Sequence, residues 1–233
     1  MSERGETRVK QTLLDIYDRL LGRYGRQHWW PAETRFEMMV GAVLTQAAAW
    51  TNVERAIDNL KAAAALSPDA IRRIPQDDLA QLVYPAGYYN AKARKLKALA
   101  TYLGESFGDD LDAMTQVEPG LLRPRLLAVH GIGEETADDI LLYALGKPVF
   151  VIDAFTRRLL NRLGLVPDRG PYSAIQGYFM DDLAPDPEMY GEYHALIVRH
   201  AKVACRKSRP VCEGCVLLDI CPTGKVNMGE SED

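Results

Sequence analysis

Apolar residues recur at three- and four-residue spacing through six stretches of this chain: TLLDIYDRLLGRY, FEMMVGAVL, VERAIDNLKAAAAL, AKARKLKALATYL, TADDILLYAL and AFTRRLLNRLGL. That period lays an apolar stripe along one face of a helix and does not fit the two-residue alternation of a half-buried strand. Breakers separate the stretches: Pro31, Ser67-Pro68, Pro85 with Gly87, Pro119-Gly120, Gly131 with Gly133, Gly146 with Pro148, and the segment from Pro167 to Pro171. Only VFVID, residues 149–153, reads as extended. The expected class is all-α, a bundle of about ten short helices with no repeat of fixed period.

At 233 residues, 47% hydrophobic and 26% charged, the chain has room for one large domain or two small ones. No apolar run is long enough to span a bilayer, and the first residues, MSERGETRVK, lack the apolar core of a signal peptide. A cytoplasmic protein with no membrane partner is expected. A net charge of −4 and a pI near 5.7 argue against a uniformly positive coat. Basic residues nevertheless gather at 91–97, 156–162 and 198–209, while acids gather in GDDLD, MDDLAPDPE and the final GESED. Such basic runs are either solvated faces or, beside the motifs below, a local phosphate-binding surface.

All four cysteines, Cys205, Cys212, Cys215 and Cys221, fall in CRKSRPVCEGCVLLDIC, with six, two and five residues between them. Four thiols this close in a reducing compartment suit a metal centre better than two disulfides. Zinc in a four-thiolate site usually uses two C-x2-C pairs, and only Cys212 and Cys215 have that spacing. A [4Fe-4S] cluster is therefore the expected cofactor, with Arg206, Lys207 and Arg209 forming a basic surface beside it.

Residues 126–145, LLAVHGIGEETADDILLYAL, put the tight turn His130-Gly131-Ile132-Gly133 between two apolar stretches. Glycines opening a helix expose backbone N–H groups to an anion. Two carboxylates, Glu134 and Glu135, follow at once. As first-turn acids each would stabilise the helix N-terminus by about 0.3–1 kcal/mol.

The cysteine spacing, placed after a glycine hairpin and the aspartate of VFVID, resembles the endonuclease III superfamily of DNA glycosylases over roughly residues 10–222. The resemblance implies an all-helical, two-domain helix-hairpin-helix glycosylase fold with a [4Fe-4S] cluster loop. A six-helix barrel would span 27–147, and residues 1–26 would pack with 148–225 around the cluster. Residues 226–233 would form a disordered tail, and the substrate groove would lie between the domains. It further implies that Gly131 and Gly133, with Thr136 beside them, hold a DNA phosphate, and that Asp153 is the catalytic aspartate. The implied partner is double-stranded DNA containing a damaged base, bound by a monomer.

The chain departs from that pattern at one position. The branch that also nicks DNA carries a lysine two residues after the second glycine, where this chain has Glu135. A lysine amine can attack C1′ and form a Schiff base, whereas a carboxylate cannot form an imine. The expected reaction is therefore simple hydrolysis, with Glu135 at the pocket and Glu134 a first-turn acid.

Trp29, Trp30 and Trp50 are similar in placement to an aromatic set of the 3-methyladenine glycosylase branch. Alkylated purines carry a delocalised positive charge, and aromatic faces attract it by stacking and cation–π terms of roughly 0.5–2 kcal/mol. The competing reading is that these tryptophans fill the core. The same resemblance makes Gln46 the side chain that fills the gap left by a flipped nucleotide, and Tyr88 a wedge in the duplex. Lys202 matches a lysine near the pocket, or else contacts phosphate. Two other functions remain open: a bifunctional glycosylase of oxidised pyrimidines using Lys202 or Lys147, and a module that binds damaged DNA without chemistry.

Overall fold

The structure, a computed structural model, describes residues 3–229. It holds thirteen α-helices and no strand among the described residues. They are α1 (Glu3–Tyr24), α2 (Arg35–Leu44), α3 (Trp50–Ala62), α4 (Pro68–Arg73), α5 (Gln76–Leu82), α6 (Tyr89–Phe107) and α7 (Leu111–Thr115). There follow α8 (Pro119–Leu127), α9 (Glu134–Asp139), α10 (Ala154–Arg162), α11 (Tyr172–Met180), α12 (Pro187–Val203) and α13 (Pro222–Asn227). The all-helical expectation holds. The chain divides into two compact units, one of Trp30–Lys147 and one joining the residues up to Trp29 with those from Pro148 onward.

In the Trp30–Lys147 unit, α2 is the central element. Its sequence RFEMMVGAVL is apolar on every side, and the helix is buried from Phe36 to Leu44. A helix with no polar stripe has to sit inside a core. Its start is fixed locally, because the Thr34 side chain accepts from the Glu37 N–H at 3.1 Å. Glu37 itself is buried, and Lys61 Nζ meets its carboxylate at 2.9 Å. The long amphipathic α6 contributes Leu96, Leu99 and Leu103 to the same core, and α8 contributes Leu122 and Leu126. Beyond the glycine hairpin, the expected helix TADDILLYAL is split. The α9 turns pass into a π-helical segment, Ile140–Ala144, where Leu145 N bonds to Ile140 O at 3.2 Å.

In the other unit, α1 packs on α12 and α12 on α10. The core is aromatic, with Phe150 and Phe179 stacked at 3.7 Å between centroids and Tyr193 edge-on to both. Val149–Asp153 is buried and has no helical structure, but it pairs with no other strand among the described residues. Side chains of α11 satisfy its backbone instead: Gln176 Nε2 donates to Phe150 O at 2.7 Å, and Ile152 N donates to Tyr172 Oη at 3.0 Å. The expected tail is corrected at its start. Val226 and Asn227 close α13, which begins on Pro222 and is capped by Cys221 Sγ accepting from Gly224 N. Residues 230–233 of that tail lie outside the described residues.

Candidate active site

Asp153 ends the buried extended segment and is the N-cap of α10. Its Oδ1 accepts from Thr156 N at 2.6 Å, and its Oδ2 lies 3.6 Å from Nε2 of the buried His194 on α12. Burial pushes the carboxyl pKa up, but His194 and Thr156 together outweigh burial and hold it below its ordinary value. A buried, ionised carboxylate with both oxygens oriented can stabilise positive charge or orient a water.

In the Trp30–Lys147 unit, a depression of about 430 Å³ lies against the hairpin, lined by Thr45, Gln46, Gly131, Gly133, Glu135 and Thr136 among others. Gly131 has φ +81°, and a Cβ there would collide with the aliphatic stem of Lys95, so the position needs glycine twice over. A Cβ on Gly133 would meet open space, so its backbone is accessible. Glu134 and Glu135 are both exposed in the first turn of α9. Glu134 also lies 3.7 Å from Arg123, which grips Asp138 through two hydrogen bonds and braces the two arms of the hairpin.

Gln46 is docked onto the hairpin. Its Nε2 donates to Gly131 O at 3.1 Å and to the buried Thr136 Oγ1 at 2.9 Å, and its Oε1 accepts from Lys95 Nζ. Tyr88, the expected wedge, is 75% exposed and left-handed, with φ 47° and ψ 31°.

The adjacent tryptophans part company. Trp30 meets Trp50 edge-on at 5.3 Å and Tyr143 at 5.7 Å, forming a half-buried trio in the Trp30–Lys147 unit. One ring edge packs on Gly41, where a Cβ would come within 3.1 Å of Trp30. Trp29 belongs to the other unit, with Lys202 Nζ 5.9 Å from its ring centre.

The basic stretch at 91–97 departs from the phosphate-surface expectation. Lys92 is 1% exposed, and Lys97 Nζ donates to the carbonyls of Ile71, Arg72 and Ile74 at 3.0, 3.0 and 2.5 Å. With Lys95 on Gln46, three of its four cations are engaged within their own unit, and Arg94 is the exposed one. Helical spacing turns those lysines toward neighbouring elements that end in open carbonyls.

Cys205, Cys212, Cys215 and Cys221 line a single cavity with Arg162, Leu163, His200 and Asn227. Each sulfur has at least one polar partner from the chain, and Cys221 Sγ has a second in Arg162 O at 3.3 Å. Arg162 Nη1 donates to Cys205 at 3.2 Å, Asn227 Nδ2 to Cys212 at 3.6 Å and Gly224 N to Cys221 at 3.3 Å, while His200 Nε2 lies 3.7 Å from Cys215. Burial pushes His200 down to about 4, so the ring is neutral and donates from one nitrogen only. Nε2 faces the sulfur, and Nδ1 shares a hydrogen bond of 2.9 Å with Tyr24 Oη. Arg162 and Arg158 also hold the loop backbone, at Arg206 O, Lys207 O and Cys205 O. Burial pushes the Cys215 and Cys221 thiols up, so thiolate there needs a positive centre among the sulfurs. No three His, Cys, Asp or Glu side chains among the described residues are close enough to share a single ion.

Residues 40–185 match the HhH-GPD superfamily base excision DNA repair protein family. The chain belongs to this superfamily. A Methanocaldococcus jannaschii protein named "Putative DNA repair glycosylase" is 45% identical over 212 residues, covering 91% of this chain and 96% of that protein. Endonuclease III of Sulfolobus acidocaldarius is 31% identical over 156 residues, 67% of each chain. Among solved structures, a trapped endonuclease III–DNA covalent intermediate superposes with a TM-score of 0.81 over 94% of this chain and 98% of that one, at 22% identity. An H. pylori 3-methyladenine DNA glycosylase bound to 1,N6-ethenoadenine superposes with a TM-score of 0.69 over 84% and 97%, at 28% identity.

Several residues that shape the site of this HhH-GPD protein carry no motif in the sequence. Tyr143, His194, His200 and Lys92 sit at ordinary helical spacing, and packing alone brings them to the groups described above. For His200 a faint signal exists, since it stands five residues ahead of Cys205. Among the described residues, no helix is long and apolar enough to cross a membrane.

Proposed function

We propose that this HhH-GPD protein is a monofunctional DNA N-glycosylase, acting as a monomer on double-stranded DNA and hydrolysing alkylated purines from it. The observation that carries the reading is Asp153, a buried carboxylate kept ionised by Thr156 and His194 at the start of α10. When the C1′–N bond breaks, its electron pair leaves with the base and positive charge develops on the sugar. A fixed anion in a dry site stabilises that charge far better than water does. Asp153 then orients the water that adds to C1′ and takes up its proton. An alkylated purine is cationic before cleavage and leaves as a neutral base, so little general-acid help is required.

Two features support the finer assignment. Glu135 lines the hairpin depression where a lyase needs an amine, which favours hydrolysis over imine formation. The trio of Trp30, Trp50 and Tyr143 offers half-buried aromatic surface to a cationic base. The amides at Gly131 and Gly133 receive a phosphate, Thr136 holds Gln46 against them, and Tyr88 enters the duplex. Within the other unit, Lys202 Nζ stands 5.9 Å from the Trp29 ring centre, a cation beside an aromatic face. Cys205, Cys212, Cys215 and Cys221 would hold a [4Fe-4S] cluster. Their convergence on one cavity, with the six-two-five spacing in the chain, is what supports that group. When bound, that group supplies a rigid cross-link for the loop from Cys205 to Cys221.

The test is a panel of duplexes, each with one lesion, incubated with the protein and resolved with and without alkali. Release of 3-methyladenine with strand breaks only after alkali is the expected result. Breaks without alkali, or a protein–DNA adduct after borohydride reduction, would reassign the chain as a bifunctional enzyme using a lysine such as Lys147 or Lys202.

A further inference from the structure

Lys92 is buried, yet among the described residues no carboxylate lies within ion-pair distance of it. Its Nζ donates to Leu44 O at 2.8 Å and to Ala86 O at 2.7 Å. Leu44 is the last residue of α2, and Ala86 ends the 3-10 turn Tyr84–Ala86. Both carbonyls lack an onward helical partner, and that of Leu44 lies at the negative end of the α2 dipole, which is what a buried ammonium requires in place of a counter-ion. The cation is stressed all the same: burial, and then the charge of Lys95, push it down to about 8.

The residues just beyond those two carbonyls are the ones read as DNA contacts. Leu44 leads into Thr45-Gln46-Ala47, and Ala86 leads into Gly87-Tyr88. Each segment contains a non-glycine residue in the left-handed region, Ala47 at φ 52° and Tyr88 at φ 47°. Such conformations cost on the order of 1–2 kcal/mol and persist only where the surroundings over-determine them. The Lys92 backbone adds a further tie, its N–H donating to Tyr88 O at 3.0 Å. One turn along α6, Lys95 Nζ bonds to Gln46 Oε1 while its stem lies against Gly131, so the second lysine links the Gln46 loop to the hairpin.

We propose that Lys92 and Lys95 are positioning residues that fix the Gln46 loop, the Tyr88 turn and the glycine hairpin for duplex binding without contacting DNA themselves. The proposal rests on the reading of those three segments as DNA contacts. It is the opposite of what a basic run at 91–97 suggests, and the two roles leave different signatures in salt. A lysine on a phosphate releases a counterion, and its removal lowers the slope of log affinity against log salt by about one. A brace behind the loops changes affinity but not the slope.

The experiment measures affinity for a duplex carrying a non-hydrolysable abasic-site analogue across a salt series, for wild type, Lys92→Met, Lys95→Met and Lys97→Met. Thermal melting confirms that each variant is folded at the assay temperature. Lys97, tied to Ile71, Arg72 and Ile74, controls for loss of an internal cation elsewhere on the same helix. Lys92→Met and Lys95→Met should each weaken binding by roughly tenfold, the scale of a lost charge-assisted hydrogen bond, with an unchanged salt slope. Lys97→Met should melt earlier yet bind within about twofold of wild type. A slope shallower by about one unit, or folded Lys92 and Lys95 variants that bind like wild type, would overturn the proposal. Should Lys92→Met fail to fold, Lys95→Met, which loses one side-chain contact on a half-buried residue, decides the question alone. Wild type that binds no duplex would instead overturn the DNA-contact reading beneath it.

Discussion

Nε2 of His194 stands 3.6 Å from Oδ2 of Asp153, and both side chains are buried. The other carboxylate oxygen caps α10 through Thr156 N. Capping and charge are thus functions of one side chain, and substitution can separate them.

Asp153→Asn keeps the size and the capping ability but removes the charge. This variant should fold and bind damaged duplex, while single-turnover excision falls by roughly 10²-fold or more, the scale seen when a preorganised electrostatic group is lost. Excision within a few-fold of wild type would reduce Asp153 to a helix cap.

Trp30 packs against Gly41, Trp50 and Tyr143. Trp30→Ala and Trp50→Ala should each lower excision of cationic alkylpurines more than duplex binding, since the phosphate contacts proposed for the hairpin are untouched. Early melting of both variants with proportionate loss of binding would make the trio a core element and remove the support for an alkylpurine substrate.

The cysteine cavity predicts a brown protein with iron and sulfide, read by absorbance and elemental analysis. Cys212→Ser should lose colour and become less soluble, because the loop from Cys205 to Cys221 has no regular helix of its own until Leu218. One zinc per colourless chain would overturn the assignment.

Lys92 makes a prediction in pH. Its folded value near 8 lies below the ordinary lysine value of 10.5, so between the two the unfolded chain holds more protons. Stability from this residue is therefore lowest below pH 8 and is recovered as pH rises toward 10.5. Denaturant unfolding of wild type and Lys92→Met from pH 7 to 10 should show the difference shifting in favour of wild type above pH 8. A flat difference would mean that the buried ammonium carries no desolvation cost.

What the sequence determined by itself was local. Apolar period, breakers and caps such as Thr34, Ser67 and Asp110 set the helices, because hydrogen bonds within four residues decide them. The glycine turn was equally legible, since Gly131 has a backbone requirement of its own, and the four cysteines, close in sequence, do line one cavity. Tertiary structure decided which way the long side chains turned. Lys92 reaches Leu44 across 48 residues, Gln46 reaches Thr136 across 90, and Tyr24 reaches His200 across 176. The pair Trp29-Trp30 is divided between two units, and the lysines of a basic run face inward. A charge count carries no direction. Whether a cation meets phosphate or a helix's last carbonyls depends on which elements end beside it, and that is fixed only when distant segments pack.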